Sequence, residues 1–102
     1  DRIKTLLEFL SADPGDSFDR YALGLEYRSA GDLERAIETY QEVLRRDPDY
    51  LATYYQLAKA YQDSGELDQA RATFQAGIEL ASRQGDLHTR EELQEALGEL
   101  EN

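Results

Sequence analysis

The chain repeats itself at a fixed distance along its length. The stretch YRSAGDLERAIETY at 27–40 returns as YQDSGELDQARATF at 61–74, and we call the offset between the two stretches one repeat length. When 17–50 is aligned with 51–84 without gaps, eight positions are identical. They are Tyr21/Tyr55, Leu23/Leu57, Tyr27/Tyr61, Gly31/Gly65, Leu33/Leu67, Ala36/Ala70, Thr39/Thr73 and Gln41/Gln75. A fixed period of this kind is typical of repeat proteins, in which each unit buries its apolar face against its neighbours.

The spacing of the apolar residues predicts helices throughout the chain. Ile3, Leu6 and Leu10 lie about one helical turn apart, and a similar spacing returns in each later segment. No segment alternates with a period of two residues, so no strand is expected. The predicted helices span 2–12, 17–30, 33–46, 50–64, 67–82 and 85–102. The sequence therefore predicts an all-α chain.

Residues that start and stop helices stand between the predicted spans. Asp16 is placed to cap the second helix, because its carboxylate can accept a hydrogen bond from a free N–H group of the first turn. Asp47-Pro48 stops the third helix. Gly31 and Gly65 follow the second and fourth helices, where glycine readily adopts the left-handed conformation that ends a helix. We expect a positive φ at both glycines.

Composition limits the kind of protein that this chain can be. Its length of 102 residues suits a single domain. No stretch approaches the ~18 consecutive apolar residues of a membrane span. The net charge of −11 disfavours nucleic acid and anionic membrane surfaces as partners. The absence of cysteine excludes disulfides and cysteine-ligated zinc, and we expect a cytoplasmic location.

No constellation of residues predicts catalysis or a cofactor. His88 is the only histidine and has no second histidine or cysteine with which to share a metal. Carboxylate pairs such as Glu91 and Glu95 fall on exposed helix faces, where nothing separates their pKa values for acid–base work. The sequence has no phosphate-binding glycine loop and no nucleophile elbow. We therefore expect a protein that is not an enzyme and that has no cofactor or metal.

The repeated positions resemble the tetratricopeptide repeat, whose pattern reads W-x2-L-G-x2-Y, then A-x3-F, then P. The first unit, 17–50, offers Arg20, Leu23, Gly24, Tyr27, Ala36, Tyr40 and Pro48 at these places. The second unit, 51–84, offers Tyr54, Leu57, Ala58, Tyr61, Ala70, Phe74 and Ser82. The resemblance implies a right-handed superhelix of antiparallel helix hairpins. It covers a single domain, 1–102, in a short bacterial-type member of the family.

Two positions depart from the family pattern. Arg20 replaces the usual large aromatic residue, which predicts an edge where packing is loose. Ser82 replaces the proline, which predicts that the fifth helix continues past the normal stopping point.

The helices at both ends flank the two units. Asp13-Pro14 stands one repeat length before Asp47-Pro48, so 2–12 takes the place of a preceding unit's second helix. The last helix, 85–102, carries glutamates at the positions where the register predicts packing, namely Glu91, Glu92 and Glu95. We expect that helix to be a terminal cap with an acidic outer face. Two units alone cannot bury their apolar faces, so the flanking helices supply the missing cover.

The resemblance implies a peptide-binding surface on the inner side of the superhelix. Eight residues make up the candidate site, four from the first helix of each unit. They are Phe18, Tyr21, Leu25 and Arg28 in the first unit, and Tyr55, Gln56, Lys59 and Gln62 in the second. An alternative for Phe18 and Leu25 is packing against neighbouring inner helices. With Arg28 and Lys59 against Asp63, the surface is aromatic and slightly basic, so we expect an apolar peptide with one or two acidic residues.

Two functions remain open from the sequence. The first is a non-catalytic scaffold that binds a peptide segment of a partner protein in the inner groove. The second is a self-associating module, a homo-oligomer in which exposed aromatic residues or a loosely held end helix meet a second copy.

Overall fold

Six α-helices make up the fold, and the computed structural model describes all residues 1–102. They are α1 (Arg2–Ala12), α2 (Ser17–Ser29), α3 (Leu33–Arg46), α4 (Ala52–Asp63), α5 (Leu67–Gln84) and α6 (Leu87–Glu101). The structure contains no strand, so the all-α prediction is confirmed. Each helix lies where the sequence predicts one, with its ends within two residues of the expected positions.

Side chains and glycines fix where the helices begin and end. The Asp16 carboxylate accepts a hydrogen bond from the Asp19 N–H at 3.0 Å, and Asp32 caps α3 in the same way. Gly31 and Gly65 have φ angles of +82° and +81°, which confirms the predicted left-handed conformation. These caps satisfy part of the backbone groups that every helix end leaves unpaired.

The helix α5 continues past the point at which α3 stops. It has 18 residues, whereas α3 has 14 and ends just before Pro48. Ser82 holds the equivalent position in α5, and its hydroxyl donates a hydrogen bond to the Ile78 carbonyl at 2.9 Å. A serine keeps the backbone N–H that proline lacks, so the helix is not interrupted there. The predicted extension is confirmed, and Gly85, with a φ of +72°, ends the helix.

Consecutive helices pack in a single row. The pairs α2–α3 and α4–α5 form hairpins, while α1 lies on α2 and α6 lies on α5. The buried apolar residues accordingly form three clusters: one at α1 and α2, one from α2 to α4, and one from α4 to α6. Tyr40 and Phe74 are fully buried at equivalent places in the two hairpins. The row brings α2 and α4 side by side as the first helices of the two hairpins.

A small residue on the first helix of each hairpin lets the second helix come close. A Cβ atom added to Gly24 would overlap the ring of Tyr40. Ala58 takes the same place one repeat length later and is fully buried in one cluster with Phe74. Each hairpin is therefore closed by an aromatic ring of the second helix that packs on a small residue of the first.

Arg20 is not at a loosely packed edge, so that prediction is wrong. Its side chain lies between α1 and α3, and the residue is 9% exposed. Burial, together with the nearby Arg46 charge, lowers the pKa of Arg20, while the Glu42 carboxylate acts in the opposite direction. The reason for the difference is α1, which covers the position and turns it into an interior one.

The tight contact at Gly24 yields a test of the hairpin packing. We expect Gly24→Ala to lower the free energy of unfolding by about 1–3 kcal/mol, because the added methyl group overlaps the Tyr40 ring. Gly98 is the control: it is helical and has no neighbour within 4 Å, so Gly98→Ala should stabilise the protein by ~0.5–1 kcal/mol. Urea denaturation measures both variants. Equal effects of the same sign would contradict the assignment of a special role to Gly24.

The left-handed glycine at the end of α4 yields a second test. We expect Gly65→Val to destabilise the protein by ~1 kcal/mol or more, because a β-branched side chain is strained at positive φ. No atom lies within 4 Å of a Cβ at this position, so the cost would come from the backbone and not from a clash. A thermal melt that matches the parent would contradict the left-handed assignment.

Candidate functional site

The predicted site residues lie on α2 and α4, the first helices of the two hairpins. Phe18 is 66% exposed, and the other seven are half-buried. We use the name inner groove for the surface formed by these seven residues, namely Tyr21, Leu25, Arg28, Tyr55, Gln56, Lys59 and Gln62. Their partial exposure leaves side-chain surface that a ligand can contact.

Phe18 is not brought together with the inner groove. It lines a separate cavity of about 430 Å³ between α1 and α2, with Leu6 and Phe9 on the other side. The packing alternative considered for Phe18 fails because most of its side chain remains exposed. Leu25, by contrast, packs against the buried cluster of α2, α3 and α4.

Arg28 joins the two inner helices. Its guanidinium donates hydrogen bonds to the Gln56 Oε1 at 3.1 Å and to the Asp63 carboxylate at 2.7 Å. The Arg28 side chain is 25% exposed, so the ion pair is partly shielded from solvent. Arg28 is thus neutralised by Asp63 in the structure, and its position is fixed by two partners on α4.

Tyr21 sits in a group of tyrosine rings. Its ring centroid lies 5.6 Å from that of Tyr50 and 6.2 Å from that of Tyr40. Burial raises the pKa of the Tyr21 hydroxyl, and burial is also the main cause of the raised pKa of Tyr50. These contacts hold the Tyr21 ring in place while part of it faces the groove.

Tyr55 borders the acidic helix α6. Its ring packs edge-on against Phe74, with centroids 6.3 Å apart. On its open side it lines a cavity of about 170 Å³ whose other walls are Glu92, Glu95, Ala96 and Glu99. The carboxylates of α6 were expected on an outer, solvated face; these three are exposed, but their side of the helix borders the inner groove at Tyr55. The helix packs on its neighbours through Leu93 and Ala96, which turns the adjacent glutamates towards α4.

The charge of the inner groove differs from the expected one. Arg28 is paired with Asp63, and Lys59 forms no ion pair in the structure. The side towards α6 carries three glutamates beside Tyr55. The surface is therefore acidic at this side and not slightly basic overall. Leu93 and Ala96 belong to the apolar stripe of α6. Because this stripe packs on the neighbouring helices, it is the sequence signal that would have predicted on which side of α6 these glutamates lie.

Gln62 contributes a polar group without a partner. Its side-chain oxygen is buried and accepts no hydrogen bond, while Gln56 is already engaged by Arg28. A buried acceptor without a donor is costly in a folded protein. The Gln62 oxygen is also out of reach of a ligand unless the side chain turns, so neither amide of the groove presents a free acceptor as the structure stands.

The structure shows no arrangement that holds a metal. No group of three or more histidine, cysteine, aspartate or glutamate side chains is positioned to bind an ion. His88 lies 3.6 Å from Glu92 on the surface of α6, with most of its side chain exposed. None of the six helices combines the length and the apolar character needed to span a bilayer.

The bridge between α2 and α4 yields a test of the groove's geometry. In a double-mutant cycle of Arg28→Ala and Asp63→Ala, we expect a coupling free energy of ~0.2–1 kcal/mol, because the pair is partly shielded from water. The control pair is Arg71 and Asp68, in which the aspartate is almost fully exposed, so its coupling should be smaller. Urea denaturation of the four variants of each cycle gives both values. A coupling at Arg28 no larger than at Arg71 would contradict the bridge.

Comparison with solved structures places this arrangement among known folds. A solution structure of a tetratricopeptide repeat domain protein from Salinibacter ruber is 39% identical, over 87% of this chain and 90% of that chain, with a TM-score of 0.83. The structure of PcrH in complex with the chaperone binding region of PopD is 21% identical, over 96% and 74%, with a TM-score of 0.89. The TPR2B domain of yeast Sti1 in its pHsp70 complex is 16% identical, over 97% and 79%, with a TM-score of 0.91. The last two likenesses show the fold alone.

The family assignment is carried by the sequence as well as by the fold. No curated protein matches the chain. The family model described as tetratricopeptide repeat matches residues 27–89, which is more than half of the chain. The matched stretch contains all three glycines of positive φ and the Tyr40 and Phe74 rings that close the hairpins. The chain belongs to the tetratricopeptide repeat family.

Proposed function

We propose that this protein is a non-catalytic scaffold that binds a peptide segment of another protein in the inner groove. The observation that carries the proposal is a set of half-exposed side chains whose positions are already fixed. Arg28 is held by Gln56 and Asp63, and Tyr21 is held by Tyr50. Side chains that are fixed before binding lose little conformational freedom on binding, and this favours affinity.

The related folds support a protein ligand. One is PcrH in complex with the chaperone binding region of PopD, and another is the TPR2B domain of yeast Sti1 in a pHsp70 complex. The net charge of −11 also favours a protein segment over nucleic acid, whose phosphates require basic contacts. Tyrosine and arginine, both present in the groove, are enriched among the residues that dominate binding energy at protein interfaces.

The charges of the groove indicate the chemistry of the peptide. An apolar side chain fits beside Tyr21 and Leu25, which present ring and methyl surface. A lysine or arginine fits the cavity at Tyr55, where a cation can approach the ring face and the surrounding carboxylates. This proposal replaces the acidic peptide expected from the sequence, because Arg28 is paired and Glu92, Glu95 and Glu99 face the groove.

A selected peptide tests the proposal. We would select ligands for the full chain from a displayed library of short random peptides and measure the affinity of the best by fluorescence anisotropy. We expect the selected sequences to contain apolar residues together with lysine or arginine. Tyr21→Ala and Tyr55→Ala should each weaken binding about tenfold or more, which corresponds to ~1.4 kcal/mol. Glu95→Gln should also weaken the binding of a basic peptide, because it removes one of the carboxylates beside Tyr55.

The control variant is Glu38→Lys, on the outer surface of α3 and away from the groove. Glu38 is exposed and makes no hydrogen bond or ion pair, so this variant should bind the peptide as the parent does. Circular dichroism should show unchanged helix content in all variants. If the tyrosine variants bind like the parent, or if Glu38→Lys abolishes binding, the inner groove is not the binding surface.

A further inference from the structure

The two ends of the row of helices differ in the residues they present. At the end formed by α6, Glu91 and Glu92 stand one repeat length after the packing residues Leu57 and Ala58. At the end formed by α1, the residues one repeat length before Tyr40 and Val43 are apolar: they are Leu6 and Phe9. The positions that pack within a complete hairpin are therefore charged in α6 and apolar in α1.

Phe9 is exposed at a position that is buried in the two complete hairpins. Val43 holds the equivalent place in α3 and is 0% exposed, whereas Phe9 is 53% exposed. In the next hairpin the same place is Gly77, where an added Cβ would meet the Tyr54 side chain of α4 at 2.8 Å. The position is therefore buried in both complete hairpins, and in the second one α4 lies over it. No helix lies over it at α1.

A cavity of about 430 Å³ lies beside Phe9, between α1 and α2. We use the name N-terminal groove for its lining, which includes Leu6, Phe9, Phe18, Ala22, Asp1 and Asp19. Phe18 and Phe9 are both more than half exposed, which is unusual for two large apolar side chains that share one cavity. The groove continues the buried cluster of Leu6, Leu10 and Leu23 out to the surface.

We propose that the N-terminal groove binds an amphipathic helix of a partner protein, which packs on α1 as α2 packs on α3. The partner helix carries a small residue opposite Phe9. This follows from volume: a large Tyr54 covers Gly77, so the bulkier Phe9 in the same place leaves room for alanine or glycine only. The residues one turn away on the partner helix are apolar, because they cover Leu6.

Charge selects a partner helix with a basic residue beside its apolar stripe. Asp19 stands one repeat length before Thr53, which is fully buried. Covering Asp19 with a helix therefore desolvates a carboxylate, which is favourable only if a cation pairs with it. Asp1 lines the same cavity, and Arg2, the one cationic side chain in its lining, is already paired with Glu26 at 3.0 Å. A second copy of this chain is disfavoured, because each copy carries a charge of −11.

The chain supplies its own probe for this surface. A synthetic peptide of residues 51–64 has the stripe of Leu57, Ala58 and Tyr61 that packs in a complete hairpin. Its Lys59 lies on the same face of the helix as Tyr55. The corresponding face of α2 meets α4, so in the bound peptide this face would meet α2. With Tyr54→Ala, the peptide carries the small residue that Phe9 requires. The labelled peptide would be titrated with the full chain and followed by fluorescence anisotropy.

We expect saturable binding that Phe9→Gln weakens at least tenfold. The matched control is Leu87→Gln, since Leu87 is 55% exposed at the other end of the chain and should not matter. The peptide with its native tyrosine should bind more weakly than the Tyr54→Ala peptide. A Lys59→Glu change in the peptide should weaken binding at least fivefold, and this difference should disappear with Asp19→Asn in the chain.

Several outcomes would overturn the proposal. One is the absence of saturable binding, and another is binding that Phe9→Gln leaves unchanged. A third is light scattering that shows a dimer of the chain which Phe9→Gln dissociates, because the occupant would then be a second copy. Tyr55→Ala in the full chain distinguishes this surface from the inner groove, because it should not change the affinity for the probe peptide. The proposals for the N-terminal groove and for the inner groove can therefore be contradicted independently of each other.

Discussion

The packing of an aromatic ring on a small residue determines the geometry of the whole molecule. Tyr40 lies against Gly24, and Phe74 lies in one cluster with Ala58. Because these contacts set how closely the two helices of each hairpin approach, they also set which side of α2 and α4 is buried within the hairpin. The opposite side is left to form the inner groove. The groove is thus a consequence of the hairpin contact and does not require separate residues to build it.

Local features of the fold could be predicted because their causes are local. A glycine after a helix and an aspartate before one act within a few residues, so Gly65 and Asp16 behave as expected. The same holds for Ser82, since the presence of a backbone N–H at one position decides whether α5 continues. The positions of the helices followed from apolar spacing, and the repeat period then gave the order in which they pack.

The errors concern contacts between helices that are distant in the sequence. The ion pair of Arg28 joins residues 35 positions apart, and helical spacing alone does not show that a guanidinium will reach its partner. The departure of α6 from the repeat register was expected, since burying Leu93 and Ala96 gains more than keeping Glu91 in a packing position, but the contact of its glutamates with Tyr55 was not. This orientation of α6 makes the charge of the groove negative at Tyr55. Arg20 is buried because α1 packs over it, and the repeat pattern of the two units does not show this contact.

The division of the core into three clusters has a consequence for how the molecule opens. No cluster extends from α1 to α6, so the loss of one end helix exposes its own cluster and leaves the others packed. Stability in such a row is a sum of contributions from neighbouring layers, and opening proceeds from the ends inwards. Amide protons in the middle of α3 and α4 would then exchange with solvent more slowly than those of α1. The inner groove lies on the layers that open last, so it outlasts the fraying of either end.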